Sequence, residues 1–142
     1  MNLPTPAHFV TEEQISLLVD RFYDRVRADA MLGPIFDQAI GDSWALHLAK
    51  MKAFWSSVML ASRTYKGNPM MAHLALPRLG REHFERWLEI WRETTPQICA
   101  EPAASVFVEK AEMIGERLLS SIDQYWDVVH GVGSEPDAVQ AV

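Results

Sequence analysis

The segment from Pro69 to Gly80, PMMAHLALPRLG, constrains the fold of this chain more than any other stretch. Prolines and glycines bracket the segment, so one continuous regular helix cannot run through it. It is nevertheless rich in large apolar side chains, which a solvated or disordered loop would not carry: Met70, Met71, Leu74, Leu76 and Leu79. His73 lies among them. A metal beside a flat apolar group would explain both features, and a core histidine bonded to a backbone carbonyl is the simpler alternative.

Composition and charge limit the class of protein. The chain has 142 residues with 49% hydrophobic content, which predicts one domain with a sizeable core. Its net charge of −6 argues against a nucleic-acid partner. No apolar run approaches the ~18–20 residues that cross a bilayer, and the N-terminus lacks a secretory signal, so no membrane attachment is expected. The single cysteine, Cys99, excludes an internal disulfide and favours a reducing cytoplasm.

Helical periodicity organises most of the remaining chain. Thr11 and Gln14 have the spacing of a capping box, and apolar residues follow at helical period. No strand alternation, repeat or domain linker is present. The predicted helices are, approximately, Glu12–Ala28, Trp44–Ala61, Arg81–Thr94 and Pro102–Val129. The apolar stripe of the last helix includes Ile114 and Leu118 and is predicted to face the core. The sequence therefore predicts an all-α domain.

Prolines and glycines set the predicted boundaries. Gly33 and Pro34 precede a short apolar connector that contains Phe36, and Pro96 is expected to stop or kink the third helix. The domain organisation predicted from these signals is a loose lead-in over 1–10, one domain over 11–130 and a flexible tail over 131–142.

Several polar side chains are predicted to lie on inward helix faces. His47 falls on the apolar stripe of the second helix, Tyr23 at the edge of the buried face of the first, and Trp87 on the apolar face of the third. Each needs a hydrogen-bond partner if buried. For Tyr23 a backbone carbonyl would suffice. His83 competes with His73 as a ligand, although its charged neighbours suggest a rim position.

The absence of several sequence motifs argues against the metal, redox and nucleotide sites that those motifs build. The chain has no Glu-x-x-His, His-Glu-x-x-His, Cys-x-x-Cys, P-loop or Gly-x-Gly-x-x-Gly. What remains is an imidazole in an apolar segment and three proton donors on the helices, an arrangement that suits a haem. The imidazole would hold the iron, and the donors would face a small ligand. Neutral donors in a dry cavity stabilise negative charge on such a ligand by ~1–3 kcal/mol each.

Four motifs make this sequence resemble a known family, the truncated haemoglobins, and within it group III. They are RFYDRVRADAMLGPIF, WALHLAKMKAFW, YKGNPMMAHLALP and HFERWLEIW, in order over nearly all of residues 11–127. Groups I and II typically carry paired glycines near helix ends, and this chain has no Gly-Gly. The resemblance implies a globin-like 2-over-2 helical sandwich that binds haem b (iron protoporphyrin IX) non-covalently. One departure is Met51, where the family often has a branched aliphatic residue.

The resemblance also implies roles for the matching residues. His73 of AHLALP would be the iron ligand, in preference to His83. Tyr23, His47 and Trp87 would form the distal, ligand-facing side. The residues expected to contact the porphyrin or line its cavity are Phe36, Met51, Trp55, Tyr65 and Phe84.

The implied function is reversible binding of O2 and other small diatomic ligands, such as NO and CO. Such binding would serve oxygen transport. Three donors exceed what simple oxygen storage needs, which favours NO dioxygenation or peroxidase-like turnover with an electron-donating reductase. One alternative is a six-coordinate haem protein for electron transfer or sensing, with His47 on the iron. Another is a helical interaction domain without a cofactor. We expect a cytoplasmic monomer or weak dimer.

Overall fold

The computed structural model describes residues 10–130, and all regular structure in that range is α-helical. The helices are α1 (Glu12–Ala28), α2 (Leu32–Ile40), α3 (Trp44–Leu60), α4 (Pro69–Leu74), α5 (Arg81–Ile98) and α6 (Ala103–His130). The all-α prediction is confirmed. The predicted tail over 131–142, and the predicted lead-in over 1–10 apart from Val10, lie outside the described residues. None of the helices within residues 10–130 is long and apolar enough to cross a membrane.

The start of α1 is fixed by the predicted capping box. The backbone N–H of Gln14 donates to Thr11 Oγ1 at 3.1 Å, and the Thr11 N–H donates to Gln14 Oε1 at 2.9 Å. Two N–H groups that a helix start leaves without partners are therefore satisfied. The helix buries one apolar stripe: Ile15, Leu18, Val19, Phe22, Tyr23 and Val26.

Two helix pairs form the two layers of the domain. Helix α1 packs on both α3 and α5, and α5 packs along α6, so the α1–α3 pair lies over the α5–α6 pair. Phe22 and Trp91 meet edge-on at the centre, with ring centroids 4.8 Å apart. The Trp91 indole N–H donates to the Phe107 carbonyl at 3.1 Å and so ties α5 to α6. The predicted 2-over-2 sandwich is confirmed.

Helix α2 corrects one prediction. Residues 35–40 were expected to form an apolar connector, but they belong to a helix that begins at Leu32. Pro34 is its third residue, and a proline in the first turn costs no hydrogen bond because its N–H would be unpaired there. Asp29 Oδ2 accepts from the N–H groups of Met31 and Leu32, at 3.1 and 3.0 Å, and so replaces a conventional cap.

Helix α5 corrects a second prediction, because it continues through Pro96 to Ile98 instead of ending at Thr94. The proline lies in the last turn, where it removes one backbone hydrogen bond near the helix end. The hydroxyls of Thr94 and Thr95 donate to the carbonyls of Ile90 and Trp91, both at 2.7 Å. These bonds hold the last turn in helical form while both threonines are buried.

The segment from Pro69 to Gly80 is helical only in its first half. Asn68 Oδ1 accepts from the Met71 N–H at 3.2 Å and caps α4, which then ends at Leu74. The prediction that no continuous helix crosses the segment is confirmed. Helix α4 packs on α6, whereas α3 packs on α1, so the two helices are held by different layers.

Gly33 allows α2 to turn closely against α1. A Cβ at this position would lie 2.5 Å from the Arg27 carbonyl oxygen, which is backbone and cannot rotate away. We expect Gly33→Ala to lower the free energy of unfolding by ~1–3 kcal/mol in urea denaturation. Gly115→Ala is the control, because its Cβ would make only ordinary contacts with Phe84 and Trp87. Equal stability of Gly33→Ala and the wild type would contradict the close approach.

Candidate functional site

His73 lies near the end of α4, and its hydrogen bond fixes which ring nitrogen is available. Its Nδ1 is 2.6 Å from the carbonyl oxygen of Pro69, one turn earlier. A carbonyl only accepts, so Nδ1 carries the proton and Nε2 carries a free lone pair. Burial of the ring lowers the pKa of His73, which favours the neutral form. The residue is thus in the tautomer that binds a metal through Nε2.

His83 is in the opposite tautomer. Its Nδ1 accepts the backbone N–H of Gly80 at 2.9 Å and so caps α5. The proton of a neutral His83 must then reside on Nε2, which leaves that nitrogen without a lone pair for iron. This arrangement supports His73 over His83 as the ligand.

Tyr23, Phe36, Trp44 and His47 form a ring cluster contributed by α1, α2 and α3. The His47 imidazole lies 5.0 Å from the Tyr23 ring and 6.3 Å from the Phe36 ring, both edge-on. Trp44 also lies edge-on to His47, with ring centroids 5.5 Å apart. Two ligand-facing residues and one porphyrin contact predicted from the sequence are therefore neighbours.

The polar atoms of the three residues predicted to face the ligand have no hydrogen-bond partner within residues 10–130. His47 Nε2 is buried without a hydrogen bond. The Tyr23 hydroxyl and the Trp87 indole N–H also make no hydrogen bond to any described residue. Leaving a buried polar group unpaired costs ~1–3 kcal/mol, and such groups commonly await a ligand or water. This cost applies to His47 Nε2, whereas the Tyr23 hydroxyl and the Trp87 N–H are unpaired without being fully buried; all three are available to a ligand.

All three of these groups are neutral at pH 7. Burial raises the pKa of Tyr23 far above its ordinary value, so the phenol keeps its proton. Burial, followed by the charge of Lys50 and the repulsion that His73 would exert if both imidazoles were protonated, lowers the pKa of His47 to about 4. The site can therefore donate hydrogen bonds without introducing a full charge.

Trp87 lies on α5 and reaches the Tyr23 ring through Phe22. Its ring lies 6.0 Å from Phe22, which in turn contacts Tyr23 at 4.9 Å. A Cβ at Gly115 would lie 3.8 Å from Trp87 Cζ3, so the benzene ring of the indole packs beside Gly115 of α6. Phe84 shares this face of α5 and lies 6.4 Å from the His73 ring.

An apolar cavity of about 280 Å³ opens between α3, α4 and α6. It reaches Pro69, whose carbonyl holds His73. Its walls are Phe54, Asn68, Pro69, Met70, Ile114, Arg117, Leu118 and Ser121. Sequence reasoning assigned Ile114 and Leu118 to the core stripe of the last helix and did not connect them to the site, because an apolar stripe does not reveal what covers it.

The remaining predicted cavity residues fall in different surroundings. The Tyr65 ring contacts Phe54 at 5.2 Å, which brings it to the cavity wall. Met51 is half-buried on α3 and packs against the main core. Trp55 is only 3% exposed, and its ring stacks on Trp91 in the centre of the domain. Its predicted contact with a porphyrin stays a prediction.

Known proteins resemble this chain in both sequence and fold. Residues 10–106 match the family model of the bacterial-like globins. The group 3 truncated haemoglobin ctb of Campylobacter jejuni is 36% identical over 119 residues, 82% of this chain and 94% of that protein. The crystal structure of group III truncated haemoglobin from Campylobacter jejuni matches with a TM-score of 0.77 and 34% identity, over 88% of this chain and 98% of that chain. Both matches include the segment that carries His73.

Proposed function

Because this chain belongs to the group III truncated haemoglobins, within the bacterial-like globins, we propose that it binds haem b and a small diatomic ligand such as O2, NO or CO. The observation that carries this proposal is the pair of imidazoles on opposite layers. His73 has a free Nε2 lone pair on α4, and His47 has a buried Nε2 without a partner on α3.

His73 is assigned the iron bond. The Pro69 carbonyl, by accepting the Nδ1–H, orients the ring and increases the basicity of Nε2. Bound haem would supply the metal that binds the diatomic ligand. The side chains proposed to contact the macrocycle or line its cavity are Phe36, Met51, Phe54, Trp55, Tyr65 and Phe84.

Tyr23, His47 and Trp87 are assigned to the ligand. Each can offer one N–H or O–H, and none has a competing partner among residues 10–130. Hydrogen bonds from neutral donors in a dry site stabilise a ligand that carries negative charge, and they hold a proton within reach of it. These hydrogen bonds favour a redox reaction, either NO dioxygenation or peroxidase-like turnover, with an electron-donating reductase. Simple oxygen storage needs fewer donors.

A six-coordinate resting state is the second candidate function. His47 is neutral at pH 7, and its Nε2 lacks a partner, so direct ligation of the iron would also satisfy it. Such a protein would suit electron transfer or sensing. The buried free thiol of Cys99 supports a reducing, cytoplasmic setting, and we propose a monomer or weak dimer.

One set of absorption spectra tests these assignments. Titration of the purified protein with haemin should saturate at one haem per chain. After reduction, high-spin five-coordinate bands that convert on addition of CO support the leading proposal. Split low-spin bands that become high-spin in His47→Leu would establish the six-coordinate alternative instead. A colourless protein that takes up no haemin would support a helical interaction domain and end both proposals.

A further inference from the structure

Three of the five tryptophans form a stacked column through the centre of the domain. The rings of Trp87 and Trp91 are 6.3 Å apart and inclined by 11°, and those of Trp91 and Trp55 are 4.5 Å apart and inclined by 19°. Trp87 and Trp91 come from α5, and Trp55 comes from α3. The column therefore crosses from one helix layer to the other.

The near-parallel stacking differs from the packing around it. Phe22 meets Trp91 at 83° and Trp87 at 87°, the edge-on geometry common among aromatic side chains in cores. Parallel rings in contact place their π systems face to face, which gives a short path for electron transfer. Indole is also among the most easily oxidised side chains of proteins, whereas the phenyl ring of Phe22 is not.

The surroundings of the column would retain an oxidised indole. Trp91 is fully buried, and its N–H is held by the Phe107 carbonyl at 3.1 Å, an acceptor too weakly basic to remove the proton. Trp55 is 3% exposed and packs against Phe107. Water and dissolved radical scavengers cannot reach these two rings directly.

One end of the column lies at the proposed haem site, and the other end lies near the protein surface. Trp87 is one of the three donors at the proposed haem site. From Trp55, Phe54 is 5.5 Å away and the half-buried Tyr65 is 5.2 Å beyond it. Tyr65 keeps its phenol proton at neutral pH, because partial burial raises its pKa. If Tyr65 gives an electron to the oxidised column, the electron vacancy (hole) moves to Tyr65, and a dissolved reductant can reduce it at the surface.

We infer that the column of Trp87, Trp91 and Trp55 donates an electron to the haem site when a hydroperoxide reacts there, and that Tyr65 passes the resulting hole to a small reductant. This inference rests on the proposed haem binding and specifies its redox chemistry. With the column as electron donor, the protein reduces a hydroperoxide at the expense of a one-electron reductant, and the indoles are oxidised in place of the porphyrin.

The O–O bond of the hydroperoxide breaks, and in the net reaction two electrons and two protons convert the hydroperoxide to an alcohol and water, or to two waters when it is hydrogen peroxide. Two molecules of the reductant supply them, each losing one electron and one proton. Until these electrons arrive, bound haem would hold one oxidising equivalent and the indole column would hold the other as a radical cation. A one-electron reductant of the ascorbate or phenol class then returns both electrons in two successive steps.

The test uses protein loaded with one haem per chain, with a matched pair of variants. Trp91→Phe interrupts the column, whereas Trp126→Phe makes the same change in the separate cluster around Phe84 and Leu119. One equivalent of hydrogen peroxide is added, and the sample is frozen rapidly for electron paramagnetic resonance. Ring-deuterated tryptophan identifies the radical by narrowing its signal.

We expect a tryptophan radical in the wild type and in Trp126→Phe, and a several-fold weaker one in Trp91→Phe. Loss of the haem Soret band under excess peroxide should be several-fold faster in Trp91→Phe. Equal signals and equal bleaching in the two variants would overturn the inference.

If Trp91→Phe does not fold, peptide mapping of the peroxide-treated wild type replaces the comparison of variants. Oxygen addition concentrated at Trp55 and Trp91 would support the column. Oxidation at Trp44 or Trp126 instead would overturn it. A wild type without a Soret band would refute the haem proposal itself, which is a different result.

Discussion

Replacing His73 with alanine is expected to abolish stable haem binding. The substitution removes an imidazole whose Nε2 lone pair is left free by a hydrogen bond on Nδ1. Loss of a partner that merely orients a metal ligand weakens metal sites by ~10–100-fold, and loss of the ligand itself should exceed that. The measurement is transfer of haem to apomyoglobin, followed as a change in Soret absorbance.

His83→Ala is the matched control for this experiment. It removes an imidazole ten residues away in sequence that caps α5 through Nδ1 and has no lone pair on Nε2. We expect this variant to lose some helix stability and to retain haem as the wild type does. Retention of haem by His73→Ala, with loss from His83→Ala, would reverse the assignment of the two histidines.

Replacing Tyr23 with phenylalanine is expected to increase the rate of O2 dissociation. The phenol is buried, protonated and without a partner among residues 10–130, so it is available to donate to the ligand. A hydrogen bond to a group that carries negative charge contributes ~1.5–3 kcal/mol, which corresponds to about 10- to 150-fold in rate. Stopped-flow displacement of O2 by CO measures this rate directly.

The change from tyrosine to phenylalanine has a control elsewhere in the chain. Tyr125 is exposed on α6, and Tyr125→Phe should leave O2 dissociation unchanged. CO carries less negative charge than O2, so Tyr23→Phe should affect CO dissociation much less. An O2 dissociation rate equal to that of the wild type would assign Tyr23 a packing role and leave the ligand to Trp87 and His47.

The sequence predicted helix boundaries correctly where residues close together in the sequence determine them. The capping box of Thr11 and Gln14 placed the start of α1 correctly, and α3 begins at Trp44 as predicted. The two prolines were misread because the cost of a proline depends on its position in the turn. Pro34 lies in a first turn capped by Asp29, and Pro96 in a last turn supported by threonine hydroxyls.

The site was harder to predict because its geometry depends on residues far apart in sequence. The apolar segment and the family resemblance identified His73, but only the contact with Pro69 reveals its tautomer. The stacking of Trp55 on Trp91 joins two helices, and the period of either helix alone does not encode it. The same limit applies to Ile114 and Leu118, which looked like ordinary core residues and line the cavity.

Resonance Raman spectroscopy of the ferrous protein tests the iron–His73 bond most directly. We predict an iron–imidazole stretching band in the wild type, its loss in His73→Gly, and its return when free imidazole fills the space left by the side chain. The same band persisting in His73→Gly without added imidazole would show that another histidine holds the iron, and would contradict the account.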